Sequence, residues 1–138
     1  MRLHKNAKIE LLKRVPLFSR CTKKELEAIA AESDELFLPE GSELTRQGGH
    51  GREFMVIAEG SADVKKNNRR INQLGSGDFL GEIALLSDAP RTATVTTTSP
   101  TRLLVLTDRA FVRVTGSMPS IQASVMKALS ERLHADSV

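Results

Sequence analysis

The chain has 138 residues, which fits one domain built around a single hydrophobic core. Apolar residues make up 40% and charged residues 27% of the sequence, the balance of an ordinary soluble globular protein. No apolar run is long enough to span a membrane and no secretory signal opens the chain, so we expect a cytoplasmic protein.

The formal net charge of +3 raises the question of a nucleic-acid partner. Basic residues gather in two places, the first two dozen positions and the stretch KKNNRR from Lys65 to Arg70. Proteins that bind single strands usually interleave such charge with stacking aromatics, but this chain has no Trp, no Tyr and five Phe. We therefore expect solvated basic faces and no nucleic-acid partner. Cys21 is the one cysteine, which excludes an intramolecular disulfide and indicates a structural thiol.

The N-terminal segment, residues 5–33, has the hydrophobic period of helices. Ile9 and Leu12 share one helical face before Pro16 breaks the run. Thr22 and Glu25 then form the capping-box pattern, in which each side chain satisfies an otherwise unpaired backbone donor of the first turn. The sequence predicts a second helix that starts near Thr22.

From residue 34 to residue 107 the period changes to that of β-strands. Glycines fall in the breaks between the runs, where a positive φ angle carries no steric cost for them. The apolar or alternating runs, in chain order, are ELFL, FMVIA, SADVK, INQL, TATVTTT and RLLVLT. Seven or eight short strands at nearly regular spacing predict a mainly β fold, an antiparallel jelly-roll β-barrel flanked by helices at both ends.

Residues 108–135 return to the helical period and predict two C-terminal helices. Asp108 is placed to cap a short helix that ends at Gly116, and Pro119 suits the first turn of the last helix. An apolar stripe on that helix indicates core packing or a dimer seam; its members are Ile121, Val125, Ala128, Leu129 and Leu133. We predict a single domain over residues 1–138.

The connection GEIALLSDAPRTATV, residues 81–95, differs from the hairpins around it. A helical turn after Gly81 would align free backbone N–H groups at its N-terminal end, which favours an anion, and Gly81 would let a ligand approach the backbone closely. Arg91, following Pro90, can offer a planar fork of donors to a phosphate. Glu82 beside a phosphate makes sense if a sugar hydroxyl donates to it. The open alternative is that Glu82 and Arg91 are an ion pair that ties loop to strand.

This connection resembles the phosphate-binding cassette of the cyclic-nucleotide-binding domain family, which includes the catabolite activator protein and the regulatory subunits of cyclic-AMP-dependent protein kinase. The residues that carry the resemblance are Gly81, Glu82, Ala84, Leu85, Pro90, Arg91 and Ala93. The pattern LTRQGGHGREFMVIAEGSADV upstream, with strands separated by glycine turns, is also similar to the family.

The resemblance implies a role for each residue of the cassette. Glu82 would accept a hydrogen bond from the ribose 2′-hydroxyl, and Arg91 would pair with the cyclic phosphate. The phosphate cradle would be completed by the amides of Ile83 and Ala84, with Thr92 as a further contact. Apolar wall or core would come from Leu74, Phe79, Leu80 and Ile83, and a lid over the base from Met126, Leu129 and Leu133.

We find no catalytic set, and the three histidines, His4, His50 and His134, are too scattered for a metal site. The resemblance implies a non-enzymatic sensor that binds a cyclic nucleotide, cAMP in preference to cGMP given the bacterial character of the chain, and needs no cofactor. Its last helix would signal to a homodimer mate, an effector protein or a neighbouring domain. Two alternatives remain: a degenerate domain that serves as a protein-interaction module, and a binder of nucleic acid or membrane surfaces through the N-terminal lysines.

Overall fold

The computed structural model describes residues 3–82, 85, 89–116, 118, 119, 121–123 and 127. Several residues of the predicted site and last helix lie outside this part: Ile83, Ala84, Val125, Met126, Ala128, Leu129 and Leu133.

Two helices open the chain, α1 (Lys5–Lys13) and α2 (Lys23–Glu32), with a single 3₁₀ turn at Pro16–Phe18 between them. The capping box predicted for α2 is confirmed. The Glu25 amide donates to Thr22 Oγ1 at 3.1 Å, and the Thr22 amide donates to Glu25 Oε1 at 2.7 Å. The side chains at the start of α2 thus satisfy two donors that the helix itself leaves unpaired.

Replacing Thr22 with alanine should lower the free energy of unfolding by about 1 kcal/mol, since it removes the acceptor for the Glu25 amide. Urea denaturation followed by circular dichroism measures this change. Lys23→Ala is the control, because Lys23 is exposed at the first position of the same helix and should stay within about 0.5 kcal/mol of the parent. Equal effects of the two substitutions would contradict the capping role.

Eight strands follow: β1 (Asp34–Leu38), β2 (Glu43–Thr45), β3 (Glu53–Glu59), β4 (Ala62–Lys66), β5 (Arg69–Leu74), β6 (Phe79–Leu80), β7 (Thr94–Thr97) and β8 (Thr101–Thr107). They form two antiparallel four-stranded sheets, ordered β1-β8-β3-β6 and β2-β7-β4-β5. This confirms the predicted mainly β fold with flanking helices. The strands β2 and β6 are not among the six runs read from the periodicity, because segments of three and two residues are too short to show an alternating pattern; β2 is indicated only by the resemblance of LTRQGG to a strand and glycine turn.

The two central strands of the first sheet, β3 and β8, are buried on both faces. Alternate residues of β3 point in opposite directions, so Phe54 and Val56 face the helices while Met55 and Ile57 face the second sheet. On the helix side, the Phe18 ring meets the Phe54 ring edge-on with centroids 5.9 Å apart. Burial on both faces explains why these two strands read as continuous apolar runs in the sequence.

Cys21 packs against the helix-side core and is half-buried. Burial, with a smaller contribution from the negative charge of Glu25, raises the pKa of its thiol to about 11. The thiol therefore stays protonated and weakly nucleophilic at neutral pH, in keeping with a structural role.

The helix α3 (Asp108–Thr115) follows β8 directly, and its N-cap corrects a detail of the prediction. Thr107, rather than Asp108, caps the helix: its Oγ1 accepts from the Ala110 amide at 3.1 Å. The Asp108 carboxylate instead accepts from Arg52 at 3.0 Å, and this hydrogen bond is the main cause that lowers the pKa of Asp108. Gly116 ends the helix as predicted. Beyond it, Ile121 is buried, as the first residue of the predicted stripe should be.

Candidate functional site

The connection from β6 to β7 carries the two charged residues singled out in the sequence. Glu82 follows the end of β6 and has 2% of its surface exposed, and Arg91 precedes β7 with 8% exposed. Burying a charge is costly unless it is paired or hydrogen-bonded. The burial of both side chains therefore excludes a solvated surface position for them.

The guanidinium of Arg91 is held at one end of β3. Its Nη2 donates to the main-chain oxygen of Glu53 at 2.7 Å and lies 3.5 Å from the carboxylate oxygen Oε2 of the same residue. Its Nη1 is also buried, but it has no hydrogen-bond partner among the described residues. An anion placed at Nη1 would satisfy this buried, charged donor.

Burial lowers the pKa of Arg91 from its ordinary value, while the charge of Glu53 and its hydrogen bond raise it in part. An arginine does not lose its proton in a protein, so the side chain keeps its full positive charge across the physiological range. The attraction of this position for an anion should therefore not depend on pH near neutrality through Arg91.

Two glycines make room for the guanidinium. Gly81 has φ +81°, and a Cβ there would collide with Arg91 Nη1 and lie 2.5 Å from the Glu53 main-chain oxygen. A Cβ at Gly51 would lie 2.8 Å from both Nε and Nη2 of Arg91. We predicted that Gly81 lets a ligand approach the backbone, and the close approach that the structure contains is that of Arg91 itself.

The other predicted residues fall in different surroundings. Leu74 and Leu80 belong to the core between the two sheets, which matches the alternative of core packing. Phe79 is partly buried, with its ring centroid 6.0 Å from that of Phe54 on the helix side. Thr92 is exposed. Among the described residues of the predicted turn, the Leu85 amide donates to the Glu82 oxygen at 3.3 Å. The predicted amide donors Ile83 and Ala84 and the lid residues are outside the described part.

Sequence reasoning missed Glu53 and Gly51. Glu53 starts an apolar strand, and nothing in the local pattern separates it from other strand-end acids. Gly51 is one of several turn glycines. The antiparallel pairing of β3 with β6, in which Met55 lies opposite Leu80, brings Glu53 beside Gly81, and no local signal encodes that pairing.

Within the described residues, no cluster of three or more His, Cys, Asp or Glu side chains is arranged to hold a metal ion. In the same part of the chain, no helix has both the length and the apolar character needed to cross a bilayer.

The family model of the cyclic nucleotide-binding domain matches residues 35–117, which include the whole connection between β6 and β7. The chain belongs to the cyclic nucleotide-binding domain family. This domain is a regulatory, non-catalytic module. The cAMP-dependent protein kinase regulatory subunit of Mycosarcoma maydis is 39% identical over an aligned length of 119 residues, and the match covers 78% of this chain and 22% of that protein. The present chain thus spans about a fifth of the length of that relative.

Solved structures agree with the fold of this cyclic nucleotide-binding domain. The N-terminal domain of a transcriptional regulator from Streptomyces coelicolor A3(2) is similar with a TM-score of 0.80 and 25% identity, over 89% of this chain and 91% of that one. The regulatory domain of Toxoplasma gondii PKA, crystallised with cAMP, has a TM-score of 0.75 and 26% identity, over 92% of this chain and 50% of that one.

Proposed function

We propose that this domain senses a cyclic nucleotide, with cAMP preferred over cGMP, and that Arg91 binds the cyclic phosphate. The observation that carries the proposal is the buried Nη1 of Arg91, which has no partner among the described residues although Nη2 is fully engaged by Glu53. A cyclic phosphate carries one negative charge and exposed oxygens, which are what a buried guanidinium donor requires.

Glu82 has the complementary role in this proposal. Glu82 is buried and follows Gly81, whose backbone lies against the guanidinium, so the main chain at Glu82 starts close to Arg91. The ribose 2′-hydroxyl is a donor suited to a carboxylate. The amides of Ile83 and Ala84 would complete the phosphate cradle, Leu74, Phe79 and Leu80 would support its apolar side, and Met126, Leu129 and Leu133 would cover the base.

The preference for cAMP rests on two supports. The Toxoplasma gondii relative was crystallised with cAMP, and the Mycosarcoma maydis relative is a cAMP-dependent protein kinase regulatory subunit. Thr92, next to Arg91, is an exposed residue, and a hydroxyl at this position is also compatible with guanine. A titration in which cAMP and cGMP compete for the site measures which nucleotide is preferred.

The signal would pass through a shift in the packing of the C-terminal helices. Ligand can shift this equilibrium only by the difference in its affinity for the two arrangements. The described contacts offer a path: Asp108, the first residue of α3, accepts from the side chain of Arg52 and donates its amide to the Arg52 main-chain oxygen at 2.8 Å. Arg52 precedes Glu53, the partner of Arg91. The residue that contacts the Arg91 guanidinium, Glu53, is therefore adjacent in sequence to the residue that contacts the start of α3, Arg52.

Isothermal titration with cAMP and cGMP tests the proposal. We expect saturable binding of one nucleotide per chain, with cAMP the tighter ligand. The absence of heat with both nucleotides at millimolar concentration, in a protein shown to be folded by circular dichroism, would overturn the proposal and favour the protein-interaction module.

Replacing Glu53 with glutamine should tighten nucleotide binding by about twofold to fivefold. The carboxylate competes with phosphate for Arg91, and because it is about half exposed its charge is worth only about 0.2–1 kcal/mol. Glu43→Gln is the matched control, since Glu43 pairs with Arg46 at 2.8 Å on the surface. Titration calorimetry gives both affinities. Weaker binding in Glu53→Gln would mean that this carboxylate supports the site rather than competes within it.

A further inference from the structure

The hairpin that joins β4 to β5 has a rigid tip. Asn67 and Asn68 form its two-residue turn, and both have positive φ angles, 54° and 65°. This is the backbone of a type I′ turn, whose twist matches that of the flanking strands and which favours asparagine at these positions.

The tip is fastened to a neighbouring loop by one side chain. Gln47 Nε2 donates to Asn67 Oδ1 at 2.9 Å, and Gln47 Oε1 accepts from the Asn67 amide at 2.8 Å. The Gln47 amide also donates to Thr94 Oγ1 on β7 at 2.9 Å. The side chain of Gln47 is exposed, yet both of its polar atoms and its main-chain donor are engaged. Such complete pairing fixes the position of the loop that starts at Gln47.

That loop holds Arg91 in turn. The Gly48 amide donates to the Arg91 oxygen at 2.8 Å, and the Arg91 amide donates to the Gly49 oxygen at 2.8 Å. Further along, Gly51 lies against Nε and Nη2 of the guanidinium. The residues from Gln47 to Gly51 therefore position both the main chain and the side chain of Arg91.

The cross-strand pairs next to this turn bring basic residues opposite each other. Lys65 lies opposite Arg70, and Lys66 lies opposite Arg69. Like charges directly opposite each other destabilise an antiparallel pair, and the Asp63 carboxylate, 3.8 Å from Arg70 Nη1, offsets this in part. The turn and the Gln47 bridge thus stabilise a hairpin end that the like-charged pairs weaken.

From these contacts we infer that Gln47 is a positioning residue of the site, which fastens the loop at Arg91 to the tip of the β4–β5 hairpin. It acts through Arg91 and does not need to touch the ligand. Its effect on affinity rests on the proposed nucleotide site, but its effect on the loop does not.

Amide hydrogen exchange of the free protein tests the inference without ligand. In Gln47→Ala the amides of Gly48 and Arg91 should exchange about threefold to tenfold faster, the range expected when a hydrogen-bonded bridge of this kind is lost. Asn67→Gly should have a similar effect, because glycine keeps the positive φ but removes the acceptor for Nε2. Asn67→Asp retains an acceptor and should restore slow exchange. Gln73→Ala, an exposed change on β5, should leave exchange unaltered.

Nucleotide titration gives the second measurement. We expect Gln47→Ala to weaken cAMP binding by about threefold to tenfold in the parent background and to have no further effect when combined with Arg91→Lys. Unchanged exchange in Gln47→Ala, or equal acceleration in Gln73→Ala, would overturn the inference. If exchange changes as expected while the parent protein binds no nucleotide, the positioning of Arg91 stands and the proposed function fails.

Discussion

Replacing Arg91 with alanine is expected to weaken cyclic-nucleotide binding by about 2 to 5 kcal/mol, the range found when one partner of a buried charge pair is removed. The large effect follows from the position of the guanidinium: it is 8% exposed, and its Nη1 is directed to no partner among the described residues. Truncation would leave the phosphate facing a cavity without a countercharge. Titration calorimetry with cAMP measures the change.

Two further variants extend this test. One keeps the charge at position 91 but changes the shape of the side chain, and the other removes a nearby exposed arginine. Arg91→Lys keeps the positive charge but loses the planar fork of donors, so its nucleotide affinity should lie between that of the parent and that of the alanine variant. Arg46→Ala removes an exposed arginine from the adjacent loop and should change the affinity by no more than a few tenths of a kcal/mol. A loss of a few tenths in Arg91→Ala as well would mean that Arg91 does not contact the phosphate.

Substituting alanine for Gly81 is the second change for which we expect a large effect, a loss of about 2 to 5 kcal/mol in the free energy of unfolding together with loss of nucleotide binding. The positive φ angle of Gly81 costs an L residue about 1 to 2 kcal/mol. The new Cβ would also collide with Arg91 Nη1 and with the Glu53 main-chain oxygen, and overpacking of this kind costs about 1 to 3 kcal/mol. Because the flexible partner in the collision is the guanidinium, Arg91 should be displaced.

Gly41 provides a matched control for this experiment. Its φ angle is +85°, close to that of Gly81, but a Cβ there would meet nothing within 4 Å. Gly41→Ala should therefore show the backbone cost alone, about 1 to 2 kcal/mol, and should leave the nucleotide affinity unchanged. Chemical denaturation and calorimetry on both variants give the comparison. If the two variants lose equal stability and both keep their affinity, the packing of Gly81 against Arg91 is not important for the site.

The arrangement of the site follows from the sheet in which it is built. The strand β3 pairs with β6 and with β8, so one end of β3 contacts both the connection that carries Glu82 and the start of α3. Glu53, the first residue of β3, engages Arg91, and the preceding residue Arg52 engages Asp108. In the proposed signal, a binding event at the guanidinium would reach the C-terminal helices through these two adjacent residues.

Features that depend on near neighbours in the chain could be predicted from the sequence. The capping box of Thr22 and Glu25, the end of α3 at Gly116 and most strand runs arise from contacts within a few residues or from regular alternation. The spacing of glycine, acid, proline and arginine between residues 81 and 91 likewise lies within one connection, so the sequence alone predicts Glu82 and Arg91 as residues of a binding site.

Other features depend on which strands become neighbours, and only the tertiary structure decided them. Glu53 is 38 residues from Arg91 in sequence, and the Gln47 side chain reaches a turn 20 residues away. The short strands β2 and β6 exist because longer neighbours pair with them, and Leu74 and Leu80 are buried because two sheets close over them. Cross-strand register and burial are properties of the assembled sheets, so a local pattern of residue types does not encode them.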